Sequence, residues 1–486
     1  MNAQVVKLFG LIALLFAVLI GFTSYWSVFE AEALQDKRVN RRPLLEQQQI
    51  KRGRILASDG TVIARSIAQG RGEGLTYRRD YPQGDLFGHP IGYSFVNRGD
   101  SEFEKSHDDE LVGEESEFAS ILEELEGKAQ EGDDVVTTLD TAAQRLALNE
   151  LSARGAGAVV AMEPDTGKVR VMASWPPFDP RDVPERFAQL ATDPSAPLLN
   201  RATQGQYPPG STFKVVTGVA GLDSGSITSD TLIDSPGSLT IQGQPLANDF
   251  NQDFGPIPLS TGLTYSVNTF FAQLGLRVGQ DTLFDYMDRF GFNATPQLDL
   301  PSDQLYTSGV FDIESDSFLG PDDPVDLARI AFGQERLLVT PLQMTEVAAA
   351  VANEGDLMRP RLWERVIDPE GRVRDRVQPE VQSEVMSEDT AAAMTEAMKS
   401  VVEEGTGTAG ALAGIDVAGK TGTADVESRA ECGALTDANQ AWFIGFAPAD
   451  DPEIAVAATV ECTTGFGGEV AAPVVASVMQ ELLGGG

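Results

Sequence analysis

Strands at both ends of a long segment, with helices between them, predict an α/β (α+β) fold built on one antiparallel sheet flanked by helices. Short apolar runs at Ala158–Met162 and Val169–Ala173, separated by Pro164-Asp165-Thr166-Gly167, predict a hairpin of core strands. Far downstream, Val417–Asp425, Ala441–Ala447 and Ile454–Glu461 predict three consecutive strands, the last two joined by a tight turn over Pro448–Pro452. Between these sets, from about Pro176 to Val402, the pattern is mainly helical with long loops, and an apolar helix over Val470–Leu483 closes the chain. A strand pair, a helical middle, a strand triplet and a closing helix describe one sheet assembled from both ends of a domain and covered by helices.

Upstream elements follow in order. Leu8–Phe29 carries no charge and is mostly apolar. At ~1.5 Å per residue it is roughly 33 Å long, enough to cross a bilayer. Tyr25 and Trp26 sit where an interfacial aromatic belt belongs. A cleaved signal peptide is the competing reading, because Ala31-Glu32-Ala33 resembles a processing site, but the run exceeds the ~7–15 apolar residues of such a leader. An uncleaved single-pass anchor is therefore expected. Lys7 precedes the span, whereas Lys37, Arg38, Arg41 and Arg42 follow it, so the positive-inside count alone places the large domain in the cytoplasm. Glu30–Arg52 is polar and suits a stalk. Ile55–Ser66 predicts a hairpin, with Asp59-Gly60 as a type I′ turn signal. Asp85–Asp134 is irregular and acidic, with an exposed helix expected near Phe118–Leu125, and Gly132-Asp133-Asp134 punctuates its end. Thr141–Ala153 has helical spacing of Ala and Leu. The divisions expected are 1–29 for a tail and membrane anchor, 30–134 for a stalk and small non-catalytic domain, and 135–486 for the catalytic domain.

The chain has 486 residues, room for two or three domains, and a hydrophobic fraction of 42% that suits a globular protein. Its formal charge of −37 argues against nucleic acid or anionic lipid as a partner, since both would be repelled. A solvated acidic surface is the simpler use of that charge. No cofactor or metal is expected.

Chemistry concentrates in three short strings that occur in one order: Ser211-Thr212-Phe213-Lys214, Ser266-Val267-Asn268 and Lys420-Thr421-Gly422, followed by Thr423. The order S-x-x-K, S-x-N, K-T-G is that of serine acyl-transfer enzymes that react with penicillin. The only histidines, His89 and His107, lie well upstream, which excludes a Ser-His-Asp triad in the catalytic half. An activated serine there must take its base from lysine or a carboxylate. Pro208-Pro209-Gly210 places Ser211 at a helix start, and the i, i+3 spacing puts Lys214 on the same face. Buried beside another cation, Lys214 can be neutral part of the time and act as that base. S-x-x-K alone arises by chance about once or twice in a chain this long; the other strings give it weight. Ser266 can relay a proton, and Asn268 offers both a donor and an acceptor to a substrate amide. Lys420-Thr421-Gly422-Thr423 falls in a predicted strand, where glycine often marks close approach of another backbone and an edge can pair with an extended peptide. Lys420 suits a carboxylate clamp that also lowers the proton affinity of Lys214. The backbone N–H groups of Ser211 and Thr423 are candidates for an oxyanion hole.

On these strings, and on Arg52-Gly53-Arg54-Ile55, Tyr93-Ser94-Phe95-Val96, Asp108-Asp109, Tyr207–Lys214, Thr340-Pro341-Leu342 and Ala441-Trp442-Phe443-Ile444, the chain resembles the class B penicillin-binding proteins, and most closely the actinobacterial penicillin-binding protein A group, over nearly its whole length. The resemblance implies a penicillin-binding/serine β-lactamase-like transpeptidase domain preceded by a dimerisation or pedestal-like domain. It implies a D,D-transpeptidase that crosslinks peptidoglycan stem peptides outside the cell membrane through an acyl-enzyme formed from D-Ala-D-Ala, with β-lactams as covalent inhibitors. By matching positions, Ser211 is the nucleophile, Lys214 the base, and Ser266 and Asn268 the relay and substrate contacts; Lys420, Thr421, Gly422 and Thr423 form the carboxylate and oxyanion side. The middle string is S-V-N where related β-lactamases have S-D-N. About a hundred residues lie between anchor and catalytic domain, too few for a glycosyltransferase. The resemblance therefore implies a partner that polymerises glycan, a membrane glycosyltransferase of the shape, elongation, division and sporulation family. A D,D-carboxypeptidase differs only in passing the acyl group to water, a β-lactamase or β-lactam sensor lacks a convincing deacylating carboxylate here, and a non-catalytic cell-wall scaffold is the alternative of another class.

The two cysteines complete the reading. Cys432 lies in the loop joining the first two strands of the triplet, and Cys462 just past the third. In an antiparallel meander these positions share one edge of the sheet. A disulfide is expected, favoured outside the cytoplasm, and its loop of about 30 residues is worth roughly 3–4 kcal/mol on the chain-entropy model.

Overall fold

The computed structural model describes residues 48–71, 74–113, 131–426 and 438–484, with isolated positions at 7, 10–12, 14–16, 18–19, 432 and 435. In chain order the elements that position the site are β1 (Ile55–Leu56), β2 (Val62–Gln69), β3 (Thr76–Asp80), β4 (Asp134–Thr137), α1 (Thr141–Ser152), β5 (Gly157–Met162), β6 (Val169–Trp175), α2 (Lys214–Asp223), α3 (Leu259–Thr264), α4 (Asn268–Val278), α5 (Pro341–Ala352), β7 (Trp363–Ile367), β8 (Val373–Arg376), α6 (Glu388–Glu403), β9 (Ala418–Asp425), β10 (Asn439–Ala447), β11 (Ile454–Thr463) and α7 (Ala472–Gly484).

The main sheet runs β9-β10-β11-β5-β6, antiparallel throughout. It therefore joins the early hairpin to the late triplet through the β11–β5 pair, as the two-ended pattern predicts. Every residue of β5 is buried, and so are all of β10 but its first residue and the first seven of β11. Helices cover both faces, so these strands read as continuous apolar runs. The paired α1 and α7 pack on one face, and α5 packs against β5, β10 and β11 on the other. All twelve residues of α5 are buried, and its run of Ala lets the helix sit close to the sheet. The Asp140 side chain caps α1 by accepting from the amides of Ala142 and Ala143.

Ahead of this domain stands a second sheet, β8-β7-β4-β1-β2-β3. The β1–β2 hairpin forms where expected, but Asp59 does not take the positive φ that a type I′ turn requires. Only Gly60 does, at 83°, and Gly60 N–H donates to Ala57 O at 2.9 Å while the Asp59 carboxylate accepts from Thr61 N–H at 2.8 Å. This is a tight turn followed by a left-handed glycine and a bulge, the three-residue solution. The expected boundary at 134/135 falls inside β4, whose partners are β1 in parallel and β7 in antiparallel. Strands β7 and β8, drawn from the segment expected to be helical with loops, finish the N-terminal sheet. Their sequences hide this: Val373-Arg374-Asp375-Arg376 is exposed at every position and carries no apolar alternation. Among the described residues no helix is long and apolar enough to cross a membrane. Most of the expected anchor at 8–29, the stalk up to residue 47 and the helix near 118–125 lie outside the described residues.

One carboxylate organises the N-terminal unit. Glu104, fully buried, accepts from Arg79 Nε at 2.6 Å, Arg52 Nε at 2.9 Å and Tyr81 Oη at 3.1 Å. The two guanidiniums hold its pKa below the usual carboxylate value in spite of burial. Removing one member of such a set leaves uncompensated buried charge, a loss of about 3–5 kcal/mol. Glu104→Ala is expected to lower the unfolding free energy of the intact chain, read from denaturant titration, by that amount, and a change below about 1 kcal/mol, the scale of an exposed pair, would show that the guanidiniums find other partners.

Candidate active site

Ser211 lies in a single 3-10 turn, Gly210–Phe213, that runs directly into α2. In 3-10 geometry residues i and i+3 eclipse, so Lys214 stacks under Ser211. The turn is tight because Gly210 has φ 53° and its N–H donates to Gly333 O at 3.0 Å. A Cβ built on Gly333 would lie 1.8 Å from Gly210 O, so that approach requires glycine. The hydroxyl of Ser211 is half-buried and makes no hydrogen bond among the described residues. Its amide sits in the first turn of a helix, where an N–H lacks an intrahelical partner.

Lys214 is turned toward the second string. Its Nζ donates to Ser266 O at 2.7 Å, Ser266 Oγ at 3.1 Å and Asn268 Oδ1 at 2.7 Å. The kink between α3 and α4 makes this possible. Ser266 has φ 57°, a left-handed conformation that costs a non-glycine residue roughly 1–3 kcal/mol. Val267, 1% exposed, drops into the core, where an aspartate would be desolvated. The change from S-D-N is thus a packing choice at a position that does not face the lysines' acceptors.

Lys420 comes from β9, the edge strand of the main sheet. Its Nζ donates to the same Ser266 Oγ at 3.1 Å and to Thr421 O at 3.0 Å. One hydroxyl oxygen therefore stands between two buried ammonium groups. Thr421 Oγ1 lies 2.6 Å from Thr406 Oγ1, and Thr423 Oγ1 accepts from Gly467 N–H at 3.1 Å. Gly422 does mark a close approach, though of the chain's own backbone: a Cβ there would lie 2.6 Å from Pro209 O, ahead of Ser211. A Cβ on Gly210 would lie 3.0 Å from Thr423 N, so the edge strand and the serine turn are in backbone contact and the amides of Ser211 and Thr423 share one neighbourhood.

Both lysines are completely buried. Burial pushes Lys214 well below the ordinary lysine value, the Lys420 charge pushes it further, and Asp249 acts against both. Burial brings Lys420 down to about 7, again opposed by Asp249. The rings of Phe271 and Phe332, 5.5 and 5.9 Å from Lys214 Nζ, return part of the lost solvation through their π faces.

Several supporting residues escaped the motif reading. Tyr207 Oη donates to Glu461 Oε1 at 2.6 Å, Arg201 Nε donates to the same oxygen at 2.8 Å, and Trp442 Nε1 donates to Pro208 O at 3.0 Å. These bonds tie the approach to Ser211 onto the middle of the sheet. Thr406 meets Thr421 from a turn, and Asp249, in the short 3-10 turn Asp249–Asn251, acts on both lysines through its charge; neither carries a sequence signal of its own. Cys432 and Cys462 form a disulfide with Cα atoms 5.1 Å apart. Cys462 lies inside β11 rather than past its end: the strand continues to Thr463 through a bulge opposite Gln440, with Cys462 at φ 50°. The disulfide packs with Val426 and Ala438 beside the end of β9. His89 and His107 are remote and structural; burial holds each near a pKa of about 4, hence neutral.

Comparison with known proteins identifies the family and the fold. Residues 157–480 match the family model of the penicillin binding protein transpeptidase domain, and residues 52–135 that of the penicillin binding protein A dimerisation domain. The chain is 32% identical to the peptidoglycan D,D-transpeptidase PbpA of Mycolicibacterium smegmatis, over 98% of this chain and 97% of that protein. It is 31% identical to PbpA of Mycobacterium tuberculosis over 100% of both chains. Among solved structures, the penicillin G acyl-enzyme complex of penicillin-binding protein A from M. tuberculosis superposes with a TM-score of 0.77 at 30% identity, covering 89% of this chain and 100% of that one. The D,D-transpeptidase domain of a peptidoglycan glycosyltransferase from Eggerthella lenta gives 0.76 at 33% identity, covering 90% and 99%.

The buried lysine pair has a stability cost with a definite sign. Lys420 titrates near about 7 when folded and at its ordinary 10.5 when unfolded, so between those values the unfolded chain binds more protons. Stability therefore rises with pH across that window. Lys420→Met is expected to stabilise the protein at pH 7 by about 1–4 kcal/mol, the range seen when buried ionic groups give way to apolar ones. It should also flatten the rise toward pH 10 in denaturant unfolding. A destabilised variant with an unchanged slope would show that Lys420 is accommodated without strain.

Proposed function

We infer the chemistry of this chain from one premise: it belongs to the penicillin-binding protein family of transpeptidases. It is a serine-type D,D-transpeptidase that crosslinks the stem peptides of peptidoglycan in cell-wall biosynthesis, and β-lactams bind it covalently. The observation that carries the residue assignment is the Ser266 hydroxyl held 3.1 Å from both Lys214 Nζ and Lys420 Nζ.

Ser211 is the acylated residue. Neutral Lys214 takes the proton from Ser211 Oγ as that oxygen attacks the carbonyl of the penultimate D-Ala. The amides of Ser211 and Thr423 hold the resulting oxyanion. Lys420, with the hydroxyls of Thr421 and Thr423, grips the terminal carboxylate and keeps its charge next to Lys214. Asn268 contacts the stem's amide, and Gly422 leaves the edge strand free of side-chain bulk under the serine turn. Collapse of the tetrahedral intermediate breaks the D-Ala-D-Ala amide bond, and Lys214 returns the proton through Ser266 to the departing amine. An amine from a second stem then attacks the ester, forms the crosslink and restores the Ser211 hydroxyl.

The chain is read as three parts: 1–29 a tail and single-pass membrane anchor, 30–134 a stalk and dimerisation or pedestal-like domain, and 135–486 the transpeptidase domain held outside the membrane. Exposed apolar side chains at Leu14, Leu15, Phe16 and Leu19 support the anchor, and the disulfide supports an oxidising compartment. Crosslinking consumes glycan strands that another enzyme must polymerise, so a membrane glycosyltransferase of the shape, elongation, division and sporulation family is the proposed partner.

Penicillin provides the test, since its acyl-enzyme is stable enough to weigh by mass spectrometry. Ser211→Ala is expected to abolish covalent labelling with the unfolding midpoint retained. Lys214→Ala should slow acylation by at least ~10²-fold, the scale of a lost general base. Labelling of Ser211→Ala at the normal rate would remove the nucleophile assignment, and a loss well under that scale for Lys214→Ala would move the base to another group.

A further inference from the structure

Beside the second string stands a carboxylate that has no part in the acyl transfer. Asp249 belongs to a strap between the short strand Gln244–Ala247 and Gly255. That strap is fastened to the second string at two points: Asn268 Nδ2 donates to Ala247 O at 3.1 Å, and Thr269 N–H donates to Asn248 Oδ1 at 2.9 Å. Asn248 is buried and also donates to Pro236 O and Gln252 O, at 3.1 and 2.9 Å. The next residues break backbone rules. Phe250 and Asn251 both have positive φ, 56° and 53°, and the Phe250 side chain is 94% exposed. Two consecutive left-handed non-glycine residues cost energy that only the surrounding bonds sustain. Asp249 is exposed too, yet its carboxylate makes no hydrogen bond or ion pair among the described residues. Geometry nevertheless sets it close to the lysines, two residues past Ala247, whose carbonyl accepts from the same Asn268 side chain that accepts from Lys214 Nζ at 2.7 Å, and its charge raises the proton affinity of both Lys214 and Lys420.

A transpeptidase must admit two unlike ligands. The donor stem ends in a carboxylate, which two lysines attract. The acceptor brings a primary amine that arrives from neutral water as an ammonium, which the same lysines repel. We propose that Asp249, with the exposed ring of Phe250 beside it, forms the acceptor subsite, and that it receives an aliphatic stem ending in a primary ammonium. The inference rests on the acyl-transfer reading of Ser211. On entry the ammonium gives one proton to solvent. The neutral amine forms the new C–N bond as the bond from Ser211 Oγ to the acyl carbon breaks. The amine's surplus proton passes through Lys214 to Ser211 Oγ. Asp249 takes no part in bond making: it offsets the lysine charge along the acceptor's path, and Phe250 covers the methylene chain.

The full chain, acylated from an N-acyl-D-alanyl thioester, tests this by partition between water and two nucleophiles: the ε-amine of Nα-acetyl-lysine amide, which is cationic, and methanol, which is not. Asp249→Asn is expected to lower the aminolysis-to-hydrolysis ratio about 5-fold, the size of one solvent-exposed ion pair, while the methanolysis-to-hydrolysis ratio stays within about 2-fold. Asp249→Glu should recover most of the aminolysis. Equal losses with both nucleophiles, or no loss with either, would overturn the subsite. If the unaltered chain forms no Ser211 ester by mass, the parent reading falls and the subsite with it.

Discussion

Two lysine amino groups buried around one serine oxygen are the constraint on which the rest of the structure turns. An isolated lysine is expensive to bury, and two within reach of one hydroxyl repel each other as well. Lys214 is tolerated because Ser266 O, Ser266 Oγ and Asn268 Oδ1 accept from it and two aromatic rings face it. Lys420 is tolerated because Ser266 Oγ and Thr421 O accept from it. That arrangement depresses the proton affinity of both amines, which is what allows a lysine to serve where no histidine is available. The same burial that taxes the fold lowers the proton affinity of the proposed base.

Each piece of the cluster comes from a different kind of element, and each element is held by packing elsewhere. Ser211 and Lys214 share one helical start, pinned through Tyr207 to Glu461 and through Pro208 to Trp442. Ser266 is the strained residue of a kink and Asn268 the first residue after it; Val267 is buried between them, and the two flanking helices bury Leu263 and Phe270. Lys420 sits on an edge strand backed by β10, so its outer backbone edge is open to an extended peptide. The disulfide of Cys432 and Cys462 gathers a small apolar cluster at the end of that strand, where the main core does not reach. The strap bearing Asp249 is bonded to Asn268 and Thr269, and its opposite charge acts on both lysines.

The N-terminal unit is less independent than its place in the chain suggests. Its sheet takes β7 and β8 from a segment more than two hundred residues downstream of β4. Lys105 reaches Asp303, Ser106 Oγ donates to Asp299 O, and the Glu102 amide donates to the side chain of Gln304. The domain that precedes the enzyme is thus stitched to it through hydrogen bonds as well as through a shared sheet.

Legibility in the sequence followed the range of the interactions involved. Local period and turn chemistry were enough for the hairpin β5–β6, the triplet β9–β11 and helices α1 and α7, because each buries an uninterrupted apolar face that leaves a pattern within about ten residues. The three strings were equally legible, since acyl transfer without histidine restricts the residue types to serine, lysine and small polar neighbours at short spacings. Strands β7 and β8 were not: β8 is an edge strand exposed at every position and β7, though inside the sheet, fully buries only Val366, so neither places an apolar alternation on the sequence. Nor was the turn at Gly60, where residue type permits two geometries and the bulge in the flanking strand selects one. The sequence by itself therefore determined which groups the proposed chemistry draws on and which segments form the central layers. Only the tertiary structure decided that Ser266 would bridge both lysines, that Lys214 would face Asn268, that Thr406 would meet Thr421, and that Glu461 would anchor Tyr207 on the approach to Ser211. Those are contacts between residues far apart in the chain, set by how sheets and helices pack, and no local pattern encodes them.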